Sequence, residues 1–217
     1  SSPAIAEMAK VFENTYRAVN IALVNEMALL FDRMGLSVWE MLDSAFTKPF
    51  GIQPFYPGPG VGGHCIPIDP FYLAWKAREF DFPTRFIELA GEINLRMPRF
   101  VVGKAERILG SQGKALRGSR VLVLGAAYKR DLPDERESPA IRVMELLVAE
   151  GAQVSYHDPL IPHVRLTVRR GAPAMNDTLL RSVPLNEATI STADVVLIAT
   201  DHSNVDYMLV AKHAKAV

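Results

Sequence analysis

The sequence predicts an α/β protein in two parts: an all-helical first half, then a parallel sheet with helices on its faces. Three observations carry this. In the first hundred residues apolar side chains recur at three- and four-residue steps, the period of a helix. From residue 119 short aliphatic runs alternate with an amphipathic helical run, the order of a parallel sheet. Between them lies GSQGKALRGS, residues 110–119, polar and glycine-rich, and the domain boundary is placed there, giving parts at 1–110 and 111–217.

Residues 4–33 read as one long helix, with Ile5, Met8, Phe12, Tyr16 and Val19 along one stripe. At ~1.5 Å per residue it is about 40 Å long, more than a small domain needs, so it reads as a spine for several elements or a second subunit. Gly35 ends it, and Ser37 with Glu40 forms a capping box for the next helix. A short helix is expected over 71–80 and another after Thr84 as its cap. Pro98 interrupts that periodicity and restarts it as a first helical residue. In the second half, SRVLVLG is a strand and SPAIRVMELLVAEG a helix closed by Gly151. QVSYHDP, RLTVR and DVVLIATD are further strands, and KAV stands where one more would start.

Twenty-four basic and 24 acidic residues give no net charge, and no basic stripe marks a nucleic-acid or anionic-membrane surface. No apolar run approaches the ~20 residues that cross a bilayer. The N-terminus lacks the regions of a secretory signal. It does not begin with Met, so a piece of a longer protein is expected. One cysteine excludes an intrachain disulfide and fits a cytoplasmic protein.

That cysteine, Cys65, lies in PFYPGPGVGGHCIPIDPFYL, residues 54–73. Gly58, Gly60, Gly62 and Gly63 permit close backbone approach, and Pro57, Pro59, Pro67 and Pro70 stiffen the loop. A lone cysteine is most often a small buried hydrophobe; this setting, with His64 before it and Asp69 four residues on, reads instead as that of a nucleophile. His157, His163, His202 and His213 give no zinc-ligand spacing with one cysteine. After the first strand, GAAYKRD is not GxGxxG, so no NAD site is expected in this half. Lys129, Arg130 and Arg136 near a helix start suit a phosphate. Asp131, Asp134, Glu135 and Glu137 balance them and make an ordinary charged loop an equal reading.

Four segments occur in order: K-x-x-E-N-T-Y-R-A-x-N-I-A-x-x-N-E from Lys10, PGPGVGGHCIPIDP from Pro57, INLRMP from Ile93, and G-A-A-Y-K-x-D-x-x-D-x-R-E-S from Gly125. Together they resemble the nucleotide-sugar 6-dehydrogenases, which oxidise UDP-glucose, UDP-N-acetylhexosamines or GDP-mannose. The resemblance implies a central helical dimerisation domain and a Rossmann-like UDP-sugar-binding domain, with NAD held mainly by a domain preceding Ser1. It implies that Cys65 takes the C6 aldehyde as a thiohemiacetal and then a thioester. Lys10 and Asn14, on one helix face, would steady an oxyanion or water, and Asp69 would move protons. Arg17, Gly62, Tyr128, Lys129 and Arg136 would bind substrate; Arg142 and Glu145 are read as surface. No metal is implied. The loop and the element Thr47-Lys-Pro-Phe-Gly51 look most like the UDP-N-acetylglucosamine enzymes, with UDP-N-acetylmannosamine second and UDP-glucose third. A homodimer through 4–33 is expected. Two rivals are a binding and dimerisation module without chemistry, and a thiol hydrolase using Cys65 with His64.

Overall fold

The computed structural model describes residues 2–169 and 175–217. Contacts divide the chain into two units, Ser1–Met97 and Pro98–Val217. The division falls at the proline, whereas the sequence suggested 110–111; the polar stretch there instead links the last helix of the helical run to the first strand.

The first unit is helical: α1 (Pro3–Met34), α2 (Val38–Ala45), α3 (Asp69–Ala77) with a following 3-10 turn (Arg78–Phe80), and the start of α4 (Arg85–Ser111). Gly35 ends α1 with φ 69°, and the Leu36 N–H reaches back to the Phe31 carbonyl, closing the helix as an αL glycine does. The Ser37 hydroxyl accepts the Glu40 N–H, which is the expected cap on α2. Thr84 precedes α4 and its carbonyl accepts the Ile87 and Glu88 N–H groups. Among the described residues its buried hydroxyl has no hydrogen-bond partner, so the expected side-chain cap is not made.

The apolar stripe on α1 faces outward, and one reading of the helices, the break at Pro98, needs correction. Ile5, Met8, Phe12 and Tyr16 are exposed, Phe12 by 69 %. The buried face of α1 is Asn14, Ala18, Ala22, Val24 and Asn25. Small residues bring backbones close, and Ala22 packs with Ala90 and Ile93 of α4. Pro98 does not break the helix: α4 runs through it. A proline inside a helix forfeits one backbone bond and costs about 3 kcal/mol. Burial of Met97, Val102, Ala105 and Leu109 offsets this.

The second unit carries β1 (Arg120–Leu124), α5 (Pro139–Ala149), β2 (Gln153–His157), β3 (His163–Arg169), β4 (Met175–Arg181), α6 (Glu187–Thr192), β5 (Val195–Ile198) and α7 (Tyr207–His213). The parallel sheet has the order β2-β1-β5, with β1 in the middle. Val121 and Val123 face a core with Val143, Met144, Leu147, Tyr156 and Leu166. Leu122 and Leu124 face the other side, with Ile190, Val196 and Val210. The RLTVR strand does not join this sheet; it pairs antiparallel with β4. Only a short turn separates β2 from β3, and a parallel neighbour needs a long crossover. Glu145 is likewise more than surface, because it accepts the Thr167 N–H and so ties α5 to β3 while pairing with Arg142. At the opposite end of β1, the Asp194 carboxylate accepts the Arg120 N–H and the Lys114 ammonium. These hold it well below the usual carboxylate range. Among the described residues no helix is long and apolar enough to cross a membrane.

Candidate functional site

Each unit holds its own group of predicted residues. In the first, Cys65 is exposed at the end of the glycine run. Gly63, buried at φ 84°, makes the bend before it, a conformation that a Cβ would strain. The Cys65 carbonyl then accepts the Ile68 and Asp69 N–H groups at 3.1 and 2.8 Å, so the thiol sits one turn ahead of α3. Asp69 is the first residue of that helix. Its carboxylate accepts a 2.7 Å hydrogen bond from the Asn14 amide, and Asn14 is almost wholly buried. Asn14 and Asp69, 55 residues apart in sequence, are thus brought together.

Lys10 and Arg17 are not brought to them. Both lie exposed on α1 and pair with Glu13 between them. Lys10 and then Arg17 hold the Glu13 carboxyl below its ordinary value. Gly62 is a partly exposed member of the loop. His64 is exposed next to Cys65, and no hydrogen bond joins them among the described residues.

In the second unit the segment after β1 opens at Gly125, where φ is 85° and a Cβ would run into the Thr200 backbone. The next two N–H groups, Ala126 and Ala127, point at the Asp158 carboxylate at 2.6 and 3.0 Å. Its other oxygen accepts the Leu160 and Ile161 N–H groups at 2.8 and 2.9 Å. His202, fully buried, sits 3.1 Å from the first oxygen through Nε2. Its Nδ1 accepts the Asp131 N–H, so the proton lies on Nε2 and is donated to Asp158. Burial pushes the Asp158 carboxyl up, the Ala126, Leu160 and Ala127 N–H groups and His202 pull it down, and the net lies below the usual value. Amides that could cradle a pyrophosphate are therefore already occupied by a side chain of the same protein, and this turn does not fit NAD.

Beyond that base the chain carries Tyr128, half-buried, and Lys129 and Arg136, both exposed. The Tyr128 N–H bonds the Asp134 carbonyl, and Arg136 grips the Asp134 carboxylate through Nε and Nη2. That pairing raises the already high Arg136 pKa. Arg130 leans instead to Asp201 and Asp131. Among the described residues no cluster of His, Cys, Asp or Glu could hold a metal ion.

Residues 4–96 match the central domain of the UDP-glucose/GDP-mannose dehydrogenase family, and residues 122–217 match its UDP binding domain. The chain belongs to this family. It is 36 % identical over 197 residues to a UDP-N-acetyl-D-mannosamine dehydrogenase of Methanococcus maripaludis, covering 91 % of this chain and 41 % of the relative. It is 38 % identical over 161 residues to a UDP-N-acetyl-D-glucosamine 6-dehydrogenase of Pseudomonas aeruginosa, covering 74 % and 38 %. Among solved structures, a UDP-D-ManNAc dehydrogenase from Pyrococcus horikoshii superposes with a TM-score of 0.79 at 34 % identity, over 98 % of this chain and 46 % of that one. The chain thus spans about two-fifths of the length of the curated relatives it matches.

Sequence reasoning passed over Asp158 and treated His202 only as a scattered histidine. The signal was available: an Asp-Pro directly after a strand, at the end of a sheet where ligands usually sit. Replacing Asp158 with Asn leaves at least one N–H donor facing an amide NH₂, at a cost of about 2–4 kcal/mol. Because the folded pKa is lowered, the carboxylate's stabilisation is present above the unfolded value of ~3.9 and fades as pH falls below it. Denaturant unfolding is therefore expected to show a constant deficit for Asp158→Asn from pH 5 to 8 that shrinks below pH 4.

Proposed function

We propose that this chain is the catalytic-cysteine and nucleotide-anchoring portion of an NAD-dependent UDP-N-acetylhexosamine 6-dehydrogenase. The observation that carries this reading is the Asn14–Asp69 hydrogen bond, which fixes a carboxylate one helical turn from the chain's single, exposed thiol. In the proposed reaction the Cys65 thiolate adds to the C6 aldehyde, forming a C–S bond and an alkoxide. Lys10, freed from Glu13, and the Asn14 amide would meet that developing charge. Oxidation of the thiohemiacetal leaves a thioester on Cys65. Asp69 takes a proton from the water that attacks it, and the carboxylate leaves as the thiolate is restored. NAD would supply the hydride acceptor, and no residue of this chain is assigned to it. These 217 residues by themselves then act as a nucleotide-sugar-binding and dimerising module.

For the diphosphate, Lys129 offers a point charge and Arg136 a fork, with Tyr128 beside them. Arg136 would exchange Asp134 for phosphate. Arg17 and Gly62 are assigned to the sugar in the first unit. Thr47 to Gly51 favours UDP-N-acetylglucosamine; the mannosamine epimer is the second reading, favoured by relatives that match over more of the chain. The exposed stripe of Ile5, Met8, Phe12, Tyr16, Leu23 and Leu30 on α1 supports a homodimer through that helix, as contiguous apolar surface marks an interface.

Calorimetric titration with UDP-N-acetylglucosamine is expected to show saturable binding that Lys129→Ala weakens about tenfold, the loss of one charge-assisted contact. Binding that ignores the substitution sinks the assignment of this loop; tighter binding of the mannosamine epimer reverses the substrate order. Light scattering at tens of micromolar is expected to give a dimer that Phe12→Glu dissociates. A monomeric parent chain would contradict the proposed interface.

A further inference from the structure

We propose that Asn25 and Asn94 are positioning residues for the nucleophile loop, acting through a buried, one-way relay of amides. The inference rests on the reading of Cys65 as the reacting group. The relay begins at the Gly58 N–H, near the start of the loop, which donates to Asn25 Oδ1 at 2.9 Å. The Asn25 Nδ2 donates to Asn94 Oδ1 at 2.9 Å, and the Asn94 Nδ2 donates to the Ala18 carbonyl at 3.2 Å. A donor N–H stands at one end and an acceptor carbonyl at the other, so both amides have a single orientation that pairs every group.

Asn25 is wholly buried and Asn94 nearly so. Burying two amides costs free energy that apolar side chains of the same size would not, and this cost is met only while each link is made. What the relay provides is location. Asn14 and Asn25 both lie on the buried face of α1. Eleven residues are about three turns, so they project to one side roughly 16 Å apart along the axis. Asn25 holds Gly58 and Asn14 holds Asp69, at either end of the loop that carries Cys65. The helix therefore acts as a ruler for the loop. Asn94 sets the rotamer of Asn25 from α4.

Asn94→Leu, close in size, removes the middle of the relay; Asn25→Asp keeps the acceptor for Gly58 and loses the donor to Asn94. Amide hydrogen exchange on the 217-residue chain reads the outcome residue by residue, and iodoacetamide, which here labels Cys65 alone, reads the thiol. In Asn94→Leu the amide of Gly58, the loop N–H that the relay holds, is expected to exchange at least tenfold faster, with Cys65 alkylated about threefold faster. The amides of Ala18, Ala22 and Ala90 keep the parent rate. Asn25→Asp is expected to fall between the two. A uniform acceleration through the unit means a merely structural pair and overturns the proposal, as does no change. Should both variants fail to fold, the parent chain decides: a protected Gly58 amide supports the relay, and open-chain exchange there overturns it. Because neither readout uses a nucleotide, failure of the UDP-sugar titration would not register as failure of the relay.

Discussion

A carboxylate of the chain itself occupies the turn after β1, so the N–H groups of that turn are already committed. Asp158 takes the Ala126 and Ala127 N–H groups that a bound phosphate would otherwise claim. It is kept charged by the Leu160 and Ile161 N–H groups and by His202. A buried ion with this many donors is stable where an unpaired one would not be. On the proposed reading, a diphosphate would instead meet the segment bearing Tyr128, Lys129 and Arg136. His202 extends the same network to Asp131, and Asp131 to the Ser203 N–H, so the base of that segment is anchored while its cationic side chains stay exposed.

The first unit solves a related problem with neutral groups. Its single cysteine, the proposed nucleophile, sits in a loop rich in glycine and proline, which by itself would define no position for a thiol. Polar side chains on the buried face of α1 supply that definition, Asn14 at Asp69 and Asn25 at Gly58. Alanines between them keep the face narrow enough for α4 to approach. The larger apolar residues of α1 are thereby left facing outward, which is why the helix carries a long exposed stripe.

Much of this was legible in residue order. Helix α1 and its Gly35 stop, the Ser37 cap, the parallel strands and the setting of Cys65 follow from periodicity, capping chemistry and glycine placement. Three features were not legible for identifiable reasons. Which face of α1 is buried depends on α4, and periodicity reports a stripe without saying what covers it. Pro98 reads locally as a stop, and only burial on both sides of it keeps α4 whole. The β3–β4 pair looks like more parallel sheet until the short turn after β2 is set against the length that a crossover needs. At the site, the family resemblance singled out Asn14, Asp69 and Lys10 alike, and the structure joins only the first two by a hydrogen bond. In the structure Lys10 pairs with Glu13, because an exposed ammonium takes the nearest carboxylate on its own helix.

The proposed capture of a sugar aldehyde by Cys65 can be measured without NAD. The chain would be incubated with the 6-aldehyde of UDP-N-acetylglucosamine, and the rate of iodoacetamide labelling of its single cysteine followed as the aldehyde is raised. Saturable protection of Cys65, absent with the parent alcohol at equal occupancy, is the predicted result. Unchanged labelling at a concentration that calorimetry shows to be saturating would contradict it.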